Sequence, residues 1–140
     1  MLKLLLVAGG GFVTNFAIQI AAGVLIVRMV NGPGVRWLAR NRLAGAVQTL
    51  SAVSFALLLT FFIQIAIWAG IFRALHQFDD METAVYHSAV NFATLGYGDI
   101  VMAAPWRILG PLEAICGNLT LGIAVGVLVS ALRVIQGSER

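Results

Sequence analysis

Residues 94 to 99 read Thr94-Leu95-Gly96-Tyr97-Gly98-Asp99, and this stretch decides how the rest of the chain is interpreted. It follows a short amphipathic segment at 80–93 and precedes a long apolar segment that begins near residue 109. Glycine adopts left-handed backbone angles freely. Two glycines at alternate positions therefore allow right- and left-handed angles to alternate, which turns successive carbonyl oxygens to one side.

Carbonyl oxygens that face one way can replace the water around a dehydrated cation. We therefore interpret the stretch as an ion selectivity filter, in which Thr94 adds a hydroxyl oxygen at the inner end. Tyr97 is expected to point away from the ion path and to support the strand from behind. The alternative is a glycine-rich turn between two helices.

Composition places the chain in the membrane class. Of its 140 residues, 60% are hydrophobic and 11% are charged, and the mean hydropathy is +0.94. This is too apolar for a soluble domain of this size. The arginines lie between apolar segments, so the net charge of +3 does not indicate a nucleic-acid partner. No nucleophile–base pair, metal cluster or phosphate loop is present, so we expect no enzyme, organic cofactor or small-molecule substrate.

Three segments, 4–30, 43–75 and 109–135, are long enough to cross a bilayer, which takes about 20 apolar residues. The segment 80–93 is too short to span, and Asp79 and Asp80 suit the N-terminal end of a helix there. The sequence thus predicts an all-α membrane protein with three transmembrane helices and a re-entrant helix. A signal peptide that is partly removed from 1–30 is a less favoured alternative, because no convincing cleavage site follows.

The arginines predict the orientation. They lie between the first two spans and after the third, at Arg28, Arg36, Arg40, Arg42, Arg133 and Arg140. The positive-inside rule makes both places cytoplasmic, which leaves the N-terminus and Asp99 outside and the C-terminus in the cytoplasm. The loop 36–42 could also contact anionic lipid headgroups. Aromatic belts at the span ends are expected from Trp37, Trp68 and Trp106.

The stretch 94–99 resembles the T-V/I/L-G-Y-G-D signature of potassium channels. Residues 45–135 are similar to the outer helix, pore helix, filter and inner helix of two-transmembrane bacterial potassium channels. The resemblance implies an N-terminal transmembrane helix and basic cytoplasmic loop at 1–44, and a pore module at 45–140. It also implies an integral protein of a bacterial inner membrane.

The resemblance further implies a potassium-selective channel. K⁺ ions would be coordinated by the backbone carbonyls of four residues: Thr94, Leu95, Gly96 and Tyr97. Gly98 would support the filter and Asp99 its outer mouth. One filter per chain cannot enclose a pore, so the functional unit is expected to be a homotetramer in membrane lipid. A poorly selective monovalent cation channel and a non-conducting three-span assembly subunit remain as alternatives.

Two positions depart from the family pattern. Ala93 stands where many members have a threonine, and Val90 stands where some have a glutamate that pairs with the filter aspartate. We expect Tyr86 or His87 to support Asp99 instead. Histidine is the usual residue of proton sensors, but we favour structural roles for His76 and His87 over a proton sensor.

The third span carries candidate gating or cavity residues. An ionisable residue inside a span is functional by default, and Glu113 is expected to pair with Arg107, His87 or the pore helix. The alternative is an acid near the outer interface. Gly117 and Gly122 allow either a gating hinge or close helix packing with Gly126. Asn118 either faces the cavity or makes a hydrogen bond between helices.

Overall fold

The structure is a computed structural model, and it describes residues 2–35 and 43–137. The long elements are α1 (Leu2–Val30), α2 (Leu43–Ala74), α3 (Met81–Phe92) and α4 (Leu109–Gly137). A short 3₁₀ helix, Trp106–Ile108, leads into α4. The described residues contain no strand, so the predicted all-α fold is confirmed.

Three helical segments are long and apolar enough to cross a membrane: Leu2–Val30, Leu43–Ala74 and Trp106–Gln136. The helix α3 has 12 residues and is about 18 Å long at 1.5 Å per residue, short of the roughly 30 Å hydrocarbon core. The observed ends of α1, α2, α3 and α4 lie within two residues of the ends predicted from the sequence.

Large apolar side chains cover the outer surface of the long helices. Leu25, Phe55 and Phe62 are each more than half exposed, at 65%, 69% and 58% of their surface. Exposing such side chains to water costs free energy, whereas lipid hydrocarbon solvates them well. The exposed surface therefore agrees with the predicted membrane location.

The chain divides into two compact units. One consists of Met1–Ala17 and Phe61–Leu121, and the other of Ile18–Thr60 and Gly122–Arg140. The first unit contains the whole of α3 and the stretch 94–99. The division predicted from the sequence, between an N-terminal region at 1–44 and a pore module at 45–140, stays a prediction.

Trp68 is the centre of the aromatic core of the first unit and is completely buried. Its ring lies edge-on to Phe12, with centroids 6.5 Å apart, and beside Phe72 at 5.8 Å. A Cβ atom on Gly11 would lie 2.6 Å from the ring. The prediction that Trp68 belongs to an interfacial aromatic belt is wrong, because the absence of a side chain at Gly11 lets the indole ring pack inside the protein.

Part of the predicted topology signal lies outside the described residues. This applies to the loop 36–42, with Arg36, Trp37, Arg40 and Arg42, and to Arg140. Arg28, in the last turn of α1, and Arg133, in α4, are described. The orientation and the lipid contact of the loop therefore remain predictions.

Candidate functional site

The helix α3 has a well-defined N-terminal cap. Asp80 Oδ1 accepts a hydrogen bond from the backbone N–H of Thr83 at 2.7 Å, and Oδ2 accepts one from the Thr83 hydroxyl at 2.8 Å. These bonds lower the pKa of Asp80. The predicted carboxylate at the helix start is thus confirmed, and the negative end of the helix dipole lies at Phe92, next to the stretch 94–99.

The backbone of this stretch alternates as the glycine pattern predicts. Gly96 has φ +60° and Gly98 has φ +73°. Thr94 also has a positive φ, +59°, which the sequence reading did not predict. Every second residue from 94 to 98 is therefore left-handed, and the threonine keeps a conformation that is rare for a β-branched residue.

In the stretch 94–97, several backbone N–H groups make hydrogen bonds, whereas the backbone carbonyls accept none from the described backbone. The N–H of Thr94 donates to the carbonyl of Asn91 at 2.8 Å. The N–H groups of Leu95 and Gly96 donate to the carbonyl of Val90, at 2.9 and 3.4 Å. Across residues 2–35 and 43–137, no backbone N–H donates to the carbonyls of 94–97. The end of α3 thus binds the first three N–H groups of the stretch, and the carbonyl oxygens of 94–97 remain available to another partner.

The whole segment 93–99 is exposed on the surface of the single chain. Leu95 and Tyr97 are 56% and 66% exposed. Non-helical backbone at membrane depth is tolerated only where protein covers it or where it lines a water-filled cavity. One copy of the chain does not provide that cover.

Two neighbouring residues of α3 contact the end of the stretch 94–99 and the residue that follows it. The Tyr86 hydroxyl donates to Asp99 Oδ2 at 2.6 Å, which lowers the pKa of Asp99 and raises that of Tyr86. His87 Nδ1 lies 2.9 Å from the carbonyl oxygen of Ile100. Tyr86 is therefore the residue that contacts the Asp99 carboxylate, while His87 contacts the next residue. Val90 is buried and contributes only its backbone carbonyl.

Glu113 is completely buried and contacts the pore helix, one of its three predicted partners. Its Oε1 atom lies 2.5 Å from the hydroxyl oxygen of Ser88 in α3. The same hydroxyl lies 2.9 Å from the carbonyl oxygen of Ile65 in α2. Three helices thus meet at one serine, and Glu113 is a buried residue rather than an acid at the outer interface.

The glycines of α4 differ in their surroundings. A Cβ atom on Gly117 would lie 2.1 Å from the carbonyl oxygen of Phe92, so the glycine allows the end of α3 to approach α4. Around Gly122 and Gly126 no atom of the described chain lies within 4 Å of such a Cβ. Asn118 is exposed. Gly117 is therefore a packing glycine in this chain, and its function as a hinge stays a prediction.

A cavity of about 360 Å³ lies beside the stretch 94–99. Side chains of α3 line it on one side, the residues after the filter on another, and the start of α4 on a third. The residues that line the cavity include Tyr86, His87, Asn91, Asp99 and Arg107. The cavity therefore borders the side chains of Tyr86, His87 and Asp99.

The sequence profile of a protein family described as "Ion channel" matches residues 56–134, which is more than half of the chain. The chain belongs to this ion channel family. The match covers most of α2, the whole of α3, the stretch 94–99 and most of α4. No curated protein and no solved structure matches the chain. Membership indicates an ion channel that is integral to a membrane, and a transport function rather than catalysis.

Sequence reasoning missed two polar residues of the ion channel's pore helix. Ser88 bonds to Glu113, and the Asn91 amide nitrogen lies 2.9 Å from His87 Nε2. Both lie within a turn of His87 on an amphipathic helix. Polar residues at such spacing on a buried helix share neighbouring faces, and that pattern is the signal that could have identified them.

Proposed function

We propose that this ion channel is potassium-selective and passive, and that its filter is formed by the stretch 94–99 of four copies of the chain. The observation that carries the proposal is the backbone of the stretch. Its φ angles alternate in sign, the N–H groups of Thr94, Leu95 and Gly96 bond to the end of α3, and the carbonyls of 94–97 have no backbone partner among the described residues. The inner part of such a strand has its donors occupied and its oxygens available to an ion.

The ligands that suit this chemistry are the four consecutive carbonyls of Thr94, Leu95, Gly96 and Tyr97, together with the Thr94 hydroxyl. Rings of backbone carbonyls replace the hydration shell of K⁺ in selective filters. The C-terminal end of α3 adds negative potential close to the inner end of the row. Both features favour a monovalent cation and disfavour an anion.

The assembly follows from the same geometry. One chain supplies one wall of carbonyls, and its segment 93–99 is exposed. Symmetry-related copies around a common axis would cover this segment and complete each ring of ligands. Four copies are the number that the filter signature implies. We further propose that the protein lies in a bacterial inner membrane, with the N-terminus and filter mouth outside, as the arginine distribution favours.

A flux assay on purified protein in liposomes tests the proposal. The vesicles are loaded with KCl or with NaCl, and ion efflux is followed under an imposed gradient, with protein-free vesicles as the control. We expect K⁺ efflux without Na⁺ efflux. Flux of both ions would show a poorly selective cation channel, and flux of neither would favour a non-conducting assembly subunit.

A further inference from the structure

His87 has a defined set of hydrogen-bond partners, and these fix its protons. Nδ1 lies 2.9 Å from the carbonyl oxygen of Ile100, and Nε2 lies 2.9 Å from the amide nitrogen of Asn91. The same amide nitrogen lies 2.9 Å from the backbone carbonyl oxygen of His87. A carbonyl oxygen can only accept, so two of these three contacts have a known direction.

The orientation of the Asn91 amide follows first. The group that faces the His87 carbonyl must be the NH₂ group, because an amide oxygen there would face another acceptor. The second proton of that NH₂ group then points to Nε2, which must accept it. The ring proton therefore lies on Nδ1, from where it donates to the Ile100 carbonyl. His87 is thus a neutral imidazole in the Nδ1–H form.

The surroundings of the ring disfavour a second proton. His87 is buried, with the rings of Phe72 and Phe78 packed against it at centroid distances of 5.5 and 4.9 Å. Burial lowers the pKa of His87 from its ordinary value of 6.5, against opposing contributions from the Ile100 carbonyl and the Asp99 carboxylate.

The charged and titratable groups near His87 come from three elements. Asp99 belongs to the segment after the filter, Tyr86 is the preceding residue of α3, and Arg107 in the 3₁₀ helix before α4 lines the same cavity. Tyr86 and Asp99 are already bonded to each other. In this arrangement Nε2, in contact with Asn91, is the remaining position at which His87 can take up a proton.

We propose that His87 is a proton-sensitive positioning residue, whose neutral Nε2 holds the Asn91 amide at the end of α3 and whose protonation at Nε2 breaks that contact. Asn91 also accepts the N–H of Thr94 at its backbone carbonyl, so the loss disturbs the start of the filter. This inference rests on the proposed channel function. Protonation would set an N–H group of the ring against the NH₂ group of Asn91. The amide must then rotate, and doing so costs its bond to the His87 carbonyl.

The direction of the pH dependence follows from the lowered pKa. The contact between the neutral Nε2 and Asn91 contributes fully above the ordinary pKa of 6.5 and is lost as the pH falls below it, through the lower pKa of the folded protein, whereas the bond from Nδ1–H to Ile100 is kept. The proton would come from water in the cavity that His87, Asp99 and Arg107 line. Acid should therefore reduce conduction.

Nitrogen NMR of isotope-labelled histidine, on the full chain in lipid, tests the proton assignment directly. The variant His76→Gln removes the other, exposed histidine and leaves one ring to assign. We expect the Nδ1–H form at neutral pH, with conversion to the imidazolium form below pH 6.5. An Nε2–H form, or an imidazolium ring at neutral pH, would overturn the proposal.

The functional arm compares K⁺ efflux with the NMR titration in the same lipid. Wild-type efflux should fall over the pH range in which His87 takes up its proton. The variant Asn91→Asp places a carboxylate opposite Nε2 that can accept a hydrogen bond from the added proton, so the NMR midpoint should move to higher pH while protonation should no longer break the contact or reduce efflux. Wild-type efflux that stays constant while His87 titrates would overturn the proposal. Absence of K⁺ efflux at neutral pH, with the Nδ1–H form present, would instead contradict the proposed channel function.

Discussion

Thr94, Gly96 and Gly98 share one backbone pattern but differ in what that pattern costs them. Glycine has no Cβ atom and adopts a positive φ with little strain. A threonine at φ +59° costs about 1–3 kcal/mol and persists only when its surroundings hold it. Here the bond from its N–H to the Asn91 carbonyl supplies that constraint. A strained threonine with its carbonyl free is what a hydroxyl-bearing ion ligand would require.

The glycine at position 98 should not tolerate a side chain. Its φ of +73° is strained for any L-residue, at a cost of about 1 kcal/mol or more for alanine. We expect Gly98→Ala to abolish or strongly reduce K⁺ efflux while the helical circular dichroism is unchanged. The matched control is Gly70→Ala in α2, where a Cβ meets nothing within 4 Å and φ is not positive. Normal efflux in Gly98→Ala would contradict the assignment of the filter.

The Tyr86–Asp99 bond predicts a shift in one carboxyl titration. The hydrogen bond from the Tyr86 hydroxyl is the largest cause of the lowered pKa of Asp99, whose ordinary value is 3.8. The contact therefore stabilises the outer mouth above that pH and is lost as the pH falls through the lower folded pKa. In Tyr86→Phe we expect the pKa of Asp99 to rise, as measured by carboxyl NMR. Asp80, whose partner is Thr83, is the internal control, and an unchanged Asp99 would refute the contact.

Single residues show where sequence reasoning stopped. The left-handed glycines follow from residue type alone, because few other residues adopt that conformation. The choice between Tyr86 and His87 as the partner of Asp99 did not follow. Adjacent helix positions point in directions about 100° apart, and the sequence does not say which one faces the segment after the filter.

A buried cluster of polar groups connects three helices, α2, α3 and α4. Glu113, Ser88 and the Ile65 carbonyl join α4, α3 and α2 within hydrogen-bond distance. Among the described residues Glu113 bonds to neither Arg107 nor His87. Any effect of Glu113 on the proposed filter would therefore pass through the position of α3.

Two substitutions at Glu113 separate the contribution of its volume from that of its hydrogen bond to Ser88. Glu113→Gln keeps a group that can bond to Ser88, whereas Glu113→Leu fills the space without one. We expect Leu to cost about 1–3 kcal/mol of folding free energy and Gln less. Open probability in single-channel recordings should change in both, and more in Leu. Equal stability and equal gating in the two variants would contradict the link.

Gly117 predicts a second change in helix packing. A Cβ atom there would overlap the Phe92 carbonyl at the end of α3. Gly117→Ala should therefore destabilise the protein by about 1–3 kcal/mol, measured as a lower thermal midpoint in detergent. Gly122→Ala is the control, because nothing in the described chain lies within 4 Å of its Cβ. A midpoint for Gly117→Ala at or above that of the control would count against close packing of α3 on α4.

The elements were more predictable than the contacts between them. Long apolar runs require a helix in lipid, because every backbone polar group must be satisfied internally, and so the ends of α1, α2 and α4 could be located. Ser88 and Glu113 lie 25 residues apart. Their contact depends on how α3 and α4 rotate against each other, which hydrophobic patterning does not specify.

At the scale of the whole molecule, the exposed segment 93–99 is the feature that a single chain leaves incomplete. Its carbonyls have no backbone partner in the described chain, and Leu95 and Tyr97 are more than half exposed. Burial by neighbouring copies would remove both costs. The number of copies could not be derived from the chain's own packing and comes from the filter signature.

A structure determined in lipid with K⁺ tests the central claim most directly. The account predicts four copies around one axis, with ion density on that axis at the level of the carbonyls of residues 94–97. The density should weaken or change position when Na⁺ replaces K⁺. A different number of copies, or an axis with side chains and no ion density at residues 94–97, would contradict the account.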